Sequence, residues 1–313
     1  MWRGAAIPFL MMGLVLGGVC ASGGNSTTAP AVHSELVSPY QQYELKLRAF
    51  LPAPHWPAGV LLSLRINGGR PLRMVLDSGA EFIVIGSKEA RSVGLSGRSE
   101  TDLVGLDSRS ASIGQAENVE IGSVSFRNCP VAIVKGKVVE GADGVIPLSL
   151  FSDFIVRLNL PEEKLELIPF PQEGNSDIPP THGVTKHNLL LVDTVVDGKR
   201  NGYVVMDTGA YCSAISAEVA GTLKGFPLAP QVRLAAGTGA ATGQRVSSTI
   251  HFMIADQDLI PDEVVALDLS NLSRHCGVKV VGVLGFPALR PYILTVDYRN
   301  HMVKIQSKLR ASP

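Results

Sequence analysis

The stretch Met74-Val75-Leu76-Asp77-Ser78-Gly79-Ala80 returns as Val204-Val205-Met206-Asp207-Thr208-Gly209-Ala210, an offset of 130 residues. Upstream of the first copy, Leu61 to Ile66 alternates, turns at Asn67-Gly68 and resumes at Leu72. Upstream of the second, Leu189 to Val196 turns at Asp197-Gly198 and resumes at Tyr203. Asn-Gly and Asp-Gly suit two-residue hairpin turns, whose central residues both need positive φ. Each copy is therefore predicted to open with a β-hairpin that delivers an Asp at the end of its second strand.

Downstream the copies match at an offset of 138: Gly144-Val145-Ile146-Pro147 with Gly282-Val283-Leu284-Gly285, and Phe154-Ile155-Val156 with Tyr292-Ile293-Leu294. The second copy thus carries eight extra residues between its two motifs. Two strand-rich units follow, 58–169 and 187–307, with a Pro-rich polar linker at 170–186 and a tail at 308–313. Two units are too few for a solenoid. They suggest lobes related by a pseudo-twofold axis, with the repeated Asp residues face to face.

The whole chain agrees with this layout. Its 313 residues allow two ordinary domains, and 32 Gly with 20 Pro favour turns over long helices. The 28 basic and 28 acidic residues cancel, which argues against a nucleic-acid partner. Trp2-Arg3, an apolar run and Val19-Cys20-Ala21 read as a signal peptide over 1–21, hence export to the periplasm or exterior. A lipid anchor at Cys20 is the other reading of that segment. Residues 22–57 read as a flexible tether or pro-segment. Three cysteines then remain, Cys129, Cys212 and Cys276, an odd count that leaves at least one unpaired.

The motif, apolar-apolar-Asp-Ser/Thr-Gly-Ala with a later apolar-apolar-Gly, resembles the aspartic peptidases. Two copies in one chain resemble a fused retropepsin-like aspartyl protease over about 250 residues. The resemblance implies an all-β, bilobal acid-protease fold with short helices and an active site between the lobes. It implies a catalytic dyad of Asp77 and Asp207, and no cofactor or metal. Ser78 and Thr208 would cross-link the loops beneath the dyad, with Gly79 and Gly209 supporting the carboxylates. Ala80 and Ala210 would leave room for a peptide or protein substrate. Glu81 stands where retroviral proteases contact the substrate main chain, and the second lobe has Tyr211 there. Gly237 and Gly239 would lie at the tip of a substrate-covering flap, with 104–115 as its first-lobe counterpart. Two lobes in one chain make a monomer sufficient for the site. Pro147, in the place of Gly285, lacks an N–H and is expected to distort the loop beneath Asp77.

Other chemistries have less in their favour. The seven histidines are scattered without H-E-x-x-H or a close metal spacing, so surface or packing roles are expected. Cys212 with His275 is a conceivable thiol–imidazole pair, yet Cys212 is equally explained as a small buried residue. No G-x-S-x-G occurs. The G-x-G-x-x-x-G at 237–243 is followed by strand-like residues rather than a helix, which weakens a phosphate-loop reading. The remaining competitor is a non-catalytic peptide- or protein-binding module that keeps the fold.

Overall fold

The computed structural model describes residues 34–52, 57–104, 108–171, 183–186, 189–223, 231–236 and 239–307, together with strands Leu10–Met12 and Leu16–Gly18. The proposed cleavage after Ala21, lipidation at Cys20, the tail, Gly237 and most of the linker lie outside the described residues.

Both hairpins form as the sequence demands. Asn67 and Gly68 have φ of 49° and 69°, and Asp197 and Gly198 have 48° and 64°. Strand Gly59–Ile66 pairs with Leu72–Asp77, and Leu189–Val196 with Arg200–Asp207. Each turn is tied to the same place in its sheet. The Asn67 N–H donates to Asn118 O at 2.9 Å, and the Asp197 N–H to His251 O at 3.0 Å.

The two sheets have matching strand order. In the first the order runs Ser99–Val104, Ser108–Ile121, Val124–Val134, Ile83–Gly86, Gly144–Pro147, Leu72–Asp77, Gly59–Ile66. In the second it runs Gln231–Ala236, Gly239–Val246, Val264–Leu267, Ser213–Ser216, Val280–Gly285, Arg200–Asp207, Leu189–Val196. The parallel pairing of each Asp strand has the same register: Met74 opposite Gly144 and Val204 opposite Gly282. Met74 to Asp77 and Val280 to Gly285 are buried on both faces, which is why Asp77 follows a short apolar run and Val280 to Gly285 forms another, neither of them alternating.

A third sheet joins the halves. Its strands are ordered Met302–Ser307, Tyr292–Asp297, Ile155–Asn159, Lys164–Ile168, Tyr43–Lys46. Ile155–Asn159 and Tyr292–Asp297 are equivalent by the 138 offset and pair antiparallel, with Arg157 opposite its own counterpart Thr295. That register puts the pseudo-twofold axis between those two residues. The following turns repeat as well: Asn159 accepts from the Glu162 N–H at 3.2 Å, and Asp297 from the Asn300 N–H at 2.9 Å.

Five of the eight extra residues of the second half have a location in the structure. Ten residues separate Val134 from Gly144, whereas fifteen separate their counterparts Leu267 and Gly282. The five-residue difference accommodates the helix Ser270–Cys276, where the first half has only turns and bends.

Within 22–57, read as a flexible tether or pro-segment, residues 43–50 are not a tether but part of the fold. Tyr43–Lys46 pairs with Lys164–Leu167 in the joining sheet, and Arg48–Phe50 pairs with Gly59–Leu61. Tyr43, Leu45, Leu47 and Phe50 are all buried in the core. Alternating apolar side chains here complete one face of a sheet instead of sitting in solvent. Inside the span read as a leader, Leu10–Met12 runs parallel to Leu234–Ala236, and Leu16–Gly18 antiparallel to Asp102–Val104.

Leu47 is 0 % exposed. Leu47→Ala should therefore cost about 2–5 kcal/mol in urea unfolding. A change below about 0.5 kcal/mol would restore the tether reading.

Candidate active site

Asp77 and Asp207 end their strands at the meeting point of the lobes, and neither is exposed. The residues after them interlock. The Ser78 N–H donates to Thr208 Oγ1 at 3.1 Å, and the Thr208 N–H donates to Ser78 Oγ at 3.0 Å. Each hydroxyl then donates across the seam: Ser78 Oγ to Met206 O and Thr208 Oγ1 to Leu76 O, both at 2.7 Å. Only a group that accepts and donates at once can fill such a position, which is why both sites carry a hydroxyl. The network satisfies polar atoms that would otherwise be buried without partners.

The glycines set the approach. The Gly79 N–H donates to Asp77 Oδ1 at 2.7 Å, and the Gly209 N–H to Asp207 Oδ1 at 2.9 Å. Each glycine also faces the opposite acid. A Cβ on Gly79 would stand 2.7 Å from Asp207 Cγ, and one on Gly209 would stand 2.5 Å from Asp77 Cγ. Both distances are below any tolerable contact, so only glycine lets the carboxyls come this close.

Burial is the main force holding both carboxyls above the usual carboxylate range. For Asp77 the charge of Asp207 adds to it. For Asp207, the Asp77 hydrogen bond and the Gly209 and Ala210 N–H groups pull the other way. The Oδ2 atoms of both acids receive no hydrogen bond from any other described group. Each carboxyl faces the glycine that follows the other acid, and the charge of Asp207 makes Asp77 harder to ionise.

Pro147 does not shift the strand beneath Asp77. It pairs with Asp77 as Gly285 pairs with Asp207. In the second half the Gly285 N–H donates to Ser213 Oγ at 3.1 Å. The counterpart of Ser213 is Ile83, by its pairing opposite Val131 as Ser213 pairs opposite Val264. The missing donor is thus matched by a missing acceptor, and the distortion expected from the proline does not arise.

The other expected site residues divide. Ala80 and Ala210 are buried beside the dyad. Gly239 begins the second strand of the hairpin 231–246, the counterpart of 99–121. The Arg109 guanidinium binds the first hairpin to the neighbouring loop through the carbonyls of Lys135 and Lys137. Glu81 does not stand open to a substrate: its Oε1 lies 2.9 Å from His275 Nε2 of the second lobe, and its side chain is 7 % exposed. In the sequence, His275 stood out only as a conceivable partner of Cys212. Cys129, Cys212 and Cys276 are buried and free of disulfides, and burial pushes the Cys212 thiol up to about 12, far from a reactive thiolate. The short helices Ser87–Ser92 and Ala217–Ala220 have no side-chain cap: Gly86 and Ser216 hold their cap positions.

An aspartyl protease family model matches residues 62–150. That match supports an aspartyl protease family for this chain. It spans the first hairpin, Asp77-Ser78-Gly79 and the strand ending at Pro147. The second copy reproduces the same aspartyl-protease-like arrangement strand for strand. No curated protein matches the chain.

Gly209→Ala should abolish function and lower thermal stability, because its Cβ collides with the Asp77 carboxyl; an unchanged melting temperature would mean the lobes do not meet as described. The acids also give a pH signature. Their folded-state pKa is raised, so their stabilisation is complete below the unfolded value of about 3.9 and is lost as pH rises through the raised value. Asp207→Asn removes that loss. Its melting temperature relative to wild type should rise from pH 4 to pH 7.5, and a constant gap would contradict the buried pair.

Proposed function

We propose that the chain is a retropepsin-like aspartic endopeptidase in which one polypeptide supplies both halves of the site. The observation that carries this reading is the reciprocal Ser78–Thr208 network, which sets two buried carboxyls at the seam, each facing the glycine after the other. Two like charges so close do not both ionise easily, so one acid keeps its proton at working pH. Aspartic proteases as a class work with such a pair, two carboxyls sharing one proton.

The chemistry follows from that state. The ionised carboxyl takes a proton from a water placed between the acids. The protonated one donates to the scissile carbonyl and polarises it. Attack forms a tetrahedral diol, and proton transfer to the amide nitrogen releases two peptides. No covalent intermediate is required. The hairpins 99–121 and 231–246 have outer strands that accept an extended segment, here 16–18 and 10–12 of the chain itself. A peptide substrate is proposed to add to them in the same β fashion.

Incubation of the wild type with a peptide digest across acid to neutral pH should give internal cleavage. Asp77→Asn and Asp207→Asn should each reduce it by about 10²–10⁴-fold, the usual worth of acid–base catalysis. Cleavage that persists in both variants would reject the dyad. Peptide binding by a wild type that cleaves nothing would identify a binding module instead. The acid limb of the rate profile is expected above about pH 4, since both acids titrate higher than a free carboxyl.

A further inference from the structure

Four residues beyond each catalytic Asp, the chain reaches into the opposite lobe. In the first copy this residue is Glu81, and its partner His275 belongs to the second lobe. In the second copy it is Tyr211, 7 % exposed, which packs in an apolar cluster with Phe50, Val75, Val84 and Val145 of the first lobe. The positions are equivalent, but one crossing is polar and the other apolar.

His275 sits on the helix Ser270–Cys276, in the lengthened connection whose helix has no counterpart in the first half. That helix leads directly into the strand Val280–Gly285, whose last residue lies opposite Asp207. It is fastened to that strand through Ser273, whose Oγ accepts from the Val280 N–H at 3.1 Å. It also touches the first-lobe strand Ser99–Val104. The path is short and continuous: Asp77, its own loop, Glu81, His275, helix, strand, Asp207. Both side chains of the pair are about nine-tenths buried, at 7 % and 10 % exposure, so the contact is shielded from solvent and from screening salt.

We propose that Glu81 and His275 form a cross-lobe positioning pair that fixes the two Asp loops relative to one another, with Tyr211 as its apolar counterpart. Glu81 then acts through the dyad's geometry and does not hold the substrate main chain. The insertion exists to bring a partner to Glu81. This rests on the dyad reading of the site. A displacement of about 1 Å between reacting groups is enough to cost orders of magnitude in rate, so the effect of the pair should fall on turnover.

The test is a double-mutant cycle with Glu81→Ala, His275→Ala and the double variant, read by kcat, KM and melting temperature. Each single variant is expected to lower kcat about tenfold with KM within about twofold, and the double variant to be no worse than either. A raised KM with kcat kept would make Glu81 a substrate contact and overturn the proposal, as would losses that multiply to about a hundredfold in the double variant. If Glu81→Ala does not fold, Glu81→Gln takes its place in the same cycle, since it keeps the volume and removes the charge. A wild type without any cleavage would refute the dyad reading separately. The melting temperatures then decide the pair: non-additive losses support cross-lobe docking, and additive ones reject it.

Discussion

Two carboxyls buried side by side are an unfavourable element for any fold, and this fold is organised around tolerating them. Desolvation disfavours their charges, and each makes the other costlier to ionise. The compensation comes from N–H groups two residues on, while the neighbouring hydroxyls hold the two loops in place. The Gly79 and Gly209 amides each hold one oxygen, and Ser78 and Thr208 lock the loops through four hydrogen bonds. A half-satisfied network of this kind would be worse than an apolar seam. Both halves must therefore arrive in register. The joining sheet provides that, because Arg157 and Thr295 face each other on the axis.

Symmetry holds where the geometry of the acids requires it and fails elsewhere. The hairpin turns, the strand beneath each Asp and the turns at Asn159 and Asp297 are duplicated. The departures come in compensated sets. Pro147 occurs with Ile83 where the other half has Gly285 with Ser213. Glu81 occurs with a helix that carries His275, while Tyr211 needs no such helix because it crosses into an apolar cluster. Each change of donor or charge on one element is met by a change on its neighbour.

Much of this was legible in the sequence, because the signals were local. Positive-φ turn residues, buried apolar runs and the Asp-Ser/Thr-Gly loops each specify their own conformation within a few residues. What was not legible depended on distant pairing. Residues 35–50 look polar and turn-rich as a block, and the alternation Tyr43, Leu45, Leu47 is too short to announce a strand before its partner Lys164–Ile168 is in place. Tyr43-x-Leu45-x-Leu47 was the available signal. Glu81 gave no hint of its partner, since His275 lies 194 residues away on an insertion whose fold no repeat could foretell. Pro147 misled for the same reason: the proline was visible, whereas its compensation at Ile83 became apparent only through the strand pairing.

The central strand pair joins residues that a symmetric assembly would have to draw from separate molecules. Here the chain runs from Ile155–Asn159 to Tyr292–Asp297 without a break. Association of the halves is thus intramolecular and does not depend on the concentration of the chain. Dilution does not separate them. A chain of this design keeps its halves together however scarce it becomes, and each half is free to evolve residues that its twin could not share.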